Sequence, residues 1–182
     1  MNNRGLRLYE YLQSFDLSML WRAYTDISWM TGKIDNHSKT DHIYDSTYVS
    51  AMCYDLDITF PVPTEDVTFY LANAFYNWLR TSGPYYGWFK IPEVPNIQSF
   101  ANRGYLVIVC LKNDDLNSAG HVAIVLPNYE NDDFCNMDNL RIIQAGIENY
   151  NCTTLQKSFI HHTNNISLET LAFYAHKIDN FE

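Results

Sequence analysis

The chain has 182 residues, of which 47% are hydrophobic and 18% are charged, so we expect a globular protein, most simply one domain with a sizeable core. Its net charge of −9 argues against nucleic acid and anionic membranes as partners, because both recruit basic surfaces. No stretch approaches the ~18 consecutive apolar residues of a membrane span. The N-terminal MNNRGLRLYEYLQSFD lacks a continuous apolar segment, so we expect no signal peptide, which leaves a cytoplasmic or non-classically exported protein.

The four cysteines lie far apart and form no CxxC pair, so no zinc or redox site is predicted. They are Cys53, Cys110, Cys135 and Cys152. We expect them to be reduced, and a Cys135–Cys152 bridge stays open. The adjacent histidines at 161–162 would point to opposite faces of a strand and have no visible partner cluster, so they are interpreted as a solvated turn. No metal or other cofactor is predicted.

The first 44 residues contain one short predicted helix and an irregular arm. Residues 5–15 have an amphipathic pattern. Residues 16–44 mix Trp21, Tyr24 and Trp29 with polar side chains and predict a packed arm without regular structure.

A strong helix pattern follows, with apolar residues at i, i+3, i+4 and i+7. These residues are Val49, Met52, Cys53 and Leu56. Asp45 and Ser46 stand at its start and are both good helix-capping residues. FPVP at 60–63 ends it. A second helix, TEDVTFYLANAFYNWL, is predicted from a Thr64 cap.

Residues 81–100 are predicted to be a loop punctuated by glycine and proline and rich in aromatic side chains. Four of these are candidate binding residues, although a loop that covers the sheet is the favoured interpretation: Tyr85, Tyr86, Trp88 and Phe89.

The last part of the chain, residues 101–182, predicts strands. GYLVIVCLK (104–112) and GHVAIVLP (120–127) form a hairpin, NLRIIQAG (139–146) is a third strand, and TTLQKSF (153–159) is a possible fourth. SLETLAFYAHKI (167–178) is either a helix or a strand. Helices followed by an antiparallel sheet indicate an α+β domain over residues 1–182, in which the helices of 45–80 pack on the sheet.

This order is also typical of a nucleophilic site. A nucleophile at a helix N-terminus is favoured by the helix dipole, a histidine on a neighbouring strand acts as base, and a polar residue on the next strand orients the histidine. His121 and Gln144 occupy such positions, although a strand-end amide such as Gln144 often serves only to pair with backbone.

Three segments in this order resemble the NlpC/CHAP group of papain-like cysteine peptidases and amidases, and most closely the bacterial peptidoglycan amidase effectors of type VI secretion. STYVSAMCYDLDITFPVP is similar to the family's nucleophile helix. ANRGYLVIVCLKNDDLNSAGHVAIVLP resembles the strands that carry its histidine, and IIQAGIENYNCTTLQKSF resembles a later strand. The resemblance implies an NlpC-like fold, amide hydrolysis and His121 as general base.

One position departs from the family. Aligning Tyr48, Val49 and Leu56 with the family's helix places Asp45 where the nucleophilic cysteine stands. A carboxylate that attacked an amide would form an anhydride, which is less stable than the amide, so Asp45 is predicted to be catalytically inactive. A shift of one residue would place Ser46 there instead. Cys110 is a further candidate nucleophile, because a hairpin that paired it with His121 would make their side chains neighbours, whereas a one-residue change of register would separate them.

We therefore expect a degenerate amidase-fold protein that acts in binding, structure or assembly. Its partner would be a peptidoglycan fragment, a protein or a second copy of the chain. The alternative is an active peptidoglycan amidase or endopeptidase with His121 as its base.

Overall fold

The computed structural model describes residues 1–35, 43–62, 71–113, 120–128, 136–160, 162, 167 and 169–180. Within this part the chain forms five α-helices and one six-stranded antiparallel sheet. The helices are α1 (Asn3–Gln13), α2 (Asp45–Asp55), α3 (Leu71–Thr81), α4 (Val94–Asn102) and α5 (Leu155–Phe159). The strands are β1 (Phe89–Ile91), β2 (Tyr105–Leu111), β3 (His121–Val125), β4 (Arg141–Gln144), β5 (Tyr150–Thr154) and β6 (Leu171–Lys177). The predicted α+β class is confirmed.

The strands lie in the order β1-β6-β2-β3-β4-β5, so the last strand of the chain sits inside the sheet, between β1 and β2. The open choice for residues 167–178 is thereby resolved as a strand. All residues of Leu171–Ala175 are buried, which explains why this segment shows a continuous apolar run instead of alternation.

Helices cover both faces of the sheet. On one face α1, α2 and α3 pack against alternate strand residues such as Ile108 and Ile124. On the other face α4 and α5 pack against the residues between them, such as Val109 and Ala123. Successive strand residues point to opposite faces, so both sets are buried and the sheet is the middle of three layers.

Two predicted elements are wrong. The loop predicted over 81–100 contains β1 and ends in α4. Pro95 lies in the first turn of α4, where a backbone N–H would have no partner within the helix, so proline costs no hydrogen bond there. The possible fourth strand at 153–159 is only the end of β5. Thr154 then caps α5 by accepting a hydrogen bond from the backbone N–H of Lys157 at 3.2 Å.

The described part of the predicted arm, residues 16–35, packs against the core. Trp21 is fully buried, and its ring nitrogen donates to the carbonyl of Trp29 at 3.1 Å. Thr64 and Cys135 lie outside the described residues, so the predicted cap and the Cys135–Cys152 bridge do too. Among the described helices, each is too short or too polar to span a bilayer.

Candidate functional site

The site is centred on His121, which opens β3 and is 3% exposed. Its Nδ1 lies 3.0 Å from Oδ2 of Asp45. Its Nε2 lies 2.7 Å from Oε1 of Gln144. The structure thus brings together the three residues that the sequence places at the nucleophile, base and orienting positions, on a helix start, a strand start and the end of the next strand.

Asp45 is the first residue of α2, and its carboxylate is held on three sides. Oδ1 accepts from the backbone N–H of Ser46 at 2.8 Å, and Oδ2 accepts from the backbone N–H of Val122 at 3.3 Å as well as facing His121. The N-terminus of a helix also favours negative charge through its unpaired N–H groups and its dipole. Two backbone N–H groups and the imidazole of His121 therefore fix the position of this side chain.

The orientation of the Gln144 amide follows from its own partners. Its Nε2 donates to the carbonyl of Glu148 at 3.1 Å, which turns Oε1 toward His121. The hydroxyl of Ser158 donates to the same Oε1. The imidazole Nε2 must therefore donate, and Nδ1 faces a carboxylate oxygen. Nδ1 of His121 and Oδ2 of Asp45 therefore share one proton in the hydrogen bond between them.

Two rings enclose the imidazole. Phe159 of α5 meets it edge-on, with centroids 4.8 Å apart and planes at 65°. His162 stacks on it, with centroids 4.3 Å apart and planes at 4°. His162 lies in a turn, as the sequence predicts, but it is half-buried by this stacking. No local sequence pattern indicates the contact between His162 and His121, because it depends on the direction in which the chain leaves α5. His161 lies outside the described residues.

Cys110 is not beside His121. Cys110 pairs with Val122, and Leu111 pairs with His121, so the register is the one that separates the thiol from the imidazole. The side chain is fully buried in the core on the helix α2 face. Burial, together with the nearby Asp45 carboxylate, raises the pKa of the Cys110 thiol well above its usual range. The prediction of Cys110 as an alternative nucleophile is therefore wrong, because the thiol is separated from His121 and is hard to deprotonate.

Ser46 and Cys53 also lack the surroundings of a nucleophile. The Ser46 hydroxyl is 2% exposed and lies 3.4 Å from Oδ1 of Asp45, while both nitrogens of His121 already have other partners. Cys53 is fully buried, and burial raises the pKa of its thiol. It is a core residue, as its place on the apolar stripe predicts.

The four aromatic side chains that were predicted to bind a partner differ in exposure. Trp88 is 1% exposed, and its ring nitrogen donates to the carbonyl of Thr59 at 3.0 Å, so this side chain belongs to the core and is corrected as a binding residue. Tyr85 and Tyr86 are exposed, the latter stacked on Trp78 with centroids 5.6 Å apart. Phe89 packs edge-on against Phe100 of α4.

Within the described part of the chain, no group of three or more histidine, cysteine or acidic side chains is placed to hold a metal ion. No protein-family model matches the chain, and no curated protein is significantly similar to it.

Proposed function

We propose that this protein is a non-catalytic member of an NlpC-like fold, in which Asp45 replaces the nucleophilic cysteine and the retained site serves binding or assembly. One observation carries the proposal. Both ring nitrogens of His121 are hydrogen-bonded to protein oxygens, one to the Asp45 carboxylate and one to the Gln144 amide.

An occupied imidazole explains why the reaction would be lost. A general base needs a ring nitrogen within hydrogen-bond reach of the proton that it removes. Neither nitrogen of His121 is available to Ser46, to a water molecule or to a substrate while Asp45 and Gln144 hold both. Asp45 itself would have to attack the amide through an anhydride, which is uphill.

The same contacts explain what Asp45 contributes instead. A thiolate beside a histidine forms an anion–cation pair at a helix N-terminus, and a carboxylate reproduces that pair. The side chain also accepts from the backbone N–H groups of Ser46 and Val122, so it joins the start of α2 to the start of β3. Asp45 therefore supports the shape and charge of the site without its chemistry. The resemblance to amidases makes a peptidoglycan fragment the first ligand to test.

The test is hydrolysis of purified peptidoglycan fragments, followed by mass spectrometry, with wild type, Asp45→Cys and His121→Ala side by side. Far-UV circular dichroism of each variant checks that it is folded. We expect wild type and His121→Ala to leave the fragments intact. Asp45→Cys restores the thiol, and hydrolysis by this variant alone would identify an amidase site that lost only its nucleophile.

Cleavage by wild type that is lost in a folded His121→Ala would contradict the proposal and favour the active amidase. The nucleophile would then be sought at Ser46. Intact fragments with all three proteins agree with a non-catalytic role and indicate that the groove has diverged along with the nucleophile.

A further inference from the structure

A groove of about 320 Å³ lies next to the site, where β2 ends and β6 begins. Its wall includes His162, the ring that stacks on His121. Its volume is at the lower end of the range for small-molecule sites, about 300–1,000 Å³, so it fits a small ligand rather than a protein segment. The polar and charged residues that line it are Arg80, Lys112, Asn113, His162, Glu169 and Thr170.

Two cationic side chains face this groove in a chain whose net charge is −9. Arg80 lies in the last turn of α3 and Lys112 follows β2, and both are exposed. Among the residues that the structure describes, Arg80 makes no hydrogen bond or ion pair. The planar guanidinium is well suited to bind a carboxylate through two parallel hydrogen bonds.

The walls of the groove are fixed by contacts of their own. Asn73 of α3 accepts from the backbone N–H of Asn113 at 3.0 Å and donates to its carbonyl at 3.3 Å. The Thr170 hydroxyl donates to the carbonyl of Ser167 at 3.1 Å and accepts from its N–H at 3.2 Å. Because these residues are held before a ligand arrives, less ordering entropy is lost on binding.

Glu169 restricts the class of ligand. Its carboxylate lines the same groove as Arg80 and Lys112, so an anion with several charges, such as a phosphate, would be repelled on one side. A molecule with one carboxylate and one ammonium group matches both signs. The groove volume limits it to about the size of two amino acids.

We propose that this groove binds a small zwitterionic peptide, with its carboxylate at Arg80 and Lys112 and its ammonium group at Glu169. The inference rests on the proposed binding function and gives it a ligand class.

The experiment is a titration of the full chain with alanylalanine, monitored by ¹H–¹⁵N NMR. The C-terminal amide and the N-acetyl derivative of the dipeptide each lack one charge and serve as matched ligands. Arg80→Gln tests the carboxylate site, and Lys90→Gln is the control, because Lys90 is an exposed lysine on β1 that does not line the groove. We expect shifts at Asn113 and Thr170, a loss of affinity of about tenfold in Arg80→Gln or with the amide, and no change in Lys90→Gln.

No saturable shift near the groove, or equal binding by the Arg80→Gln and Lys90→Gln proteins, would overturn the inference. Equal binding of the dipeptide and its N-acetyl derivative would overturn the part assigned to Glu169. The experiments distinguish failure of the proposed dipeptide binding from failure of the proposed non-catalytic role. Absence of dipeptide binding leaves the hydrolysis result for peptidoglycan fragments untouched, whereas hydrolysis by wild type refutes the non-catalytic role whatever the groove binds.

Discussion

Two histidines of the sheet have both ring nitrogens bonded to oxygen, but their partners differ. His176 of β6 faces the backbone carbonyls of Lys177 at 2.6 Å and Tyr86 at 2.9 Å, and it is partly exposed. His121 is buried and faces a carboxylate and an amide side chain. Backbone carbonyls are present whatever the sequence, whereas Asp45 and Gln144 are specific side chains with their own partners. A buried histidine with side-chain partners therefore defines a site, whereas two bonded ring nitrogens alone do not.

The same substitution at both histidines should give the largest difference in stability. His121→Phe keeps an aromatic ring but leaves the buried Asp45 side chain without its imidazole partner, and we expect a loss of about 3–5 kcal/mol in the free energy of unfolding. His176→Phe keeps the ring against Trp88 and loses hydrogen bonds that water can replace, for a loss of about 1 kcal/mol. Urea denaturation measures both. Equal losses in the free energy of unfolding would show that the contact between His121 and Asp45 contributes no more to stability than the backbone contacts of His176.

Asp45→Asn removes the charge at constant size. We expect a loss of about 1.5–3 kcal/mol, because the carboxylate accepts three hydrogen bonds and an amide has only one oxygen to share among the same donors. Asp55→Asn at the exposed end of the same helix is the control, with an expected change of at most about 1 kcal/mol. Thermal or urea unfolding measures both losses. Equal losses in the free energy of unfolding for the two variants would argue against a specific role for the Asp45 charge.

Ser158→Ala examines the far end of the hydrogen-bonded chain. It removes one of the two donors to Oε1 of Gln144 and leaves His121 as the other, so we expect a loss of about 1 kcal/mol. The Gln144 side-chain amide signals should shift in NMR spectra while the far-UV spectrum is unchanged. Unshifted signals would indicate that Ser158 is not a partner of Gln144 in solution.

Ser46→Ala should have the smallest effect, about 0.5 kcal/mol or less. The backbone N–H that donates to Asp45 remains, the hydroxyl contact at 3.4 Å is weak, and alanine is the better helix former. Urea unfolding measures this difference. A fluorophosphonate probe should fail to label Ser46 in the wild type. Labelling, detected as a mass increase on this residue, would revive it as a nucleophile.

Periodicity alone revealed much of the fold. The apolar stripe of α2 and the apolar runs of β2 and β3 lie where they were predicted, because those segments are long and buried. Helix α4 was missed because Pro92 and Pro95 resemble loop punctuation, although proline is compatible with a helix start. Helix α5 was missed because five residues are too short for a helical period to be recognised.

The site was predictable where it depends on element order. A helix start, a strand start and the next strand bring Asp45, His121 and Gln144 together in the antiparallel arrangement that the sequence indicated. The residues around them were not predictable. The register that turns Cys110 away from His121 differs by one residue from the one that would join them, and the stacking of His162 depends on a chain reversal without a local pattern.

The place of β6 has a consequence for synthesis. This strand follows the other five strands of the described residues, yet it pairs with β1 on one side and with β2 on the other. A nascent chain that has emerged only as far as β5 therefore holds β1 and β2 apart, with an unpaired edge on each. The sheet becomes continuous only when residues 171–177 leave the ribosome. Stalled chains that end before β6 should therefore be the ones that aggregate or recruit chaperones.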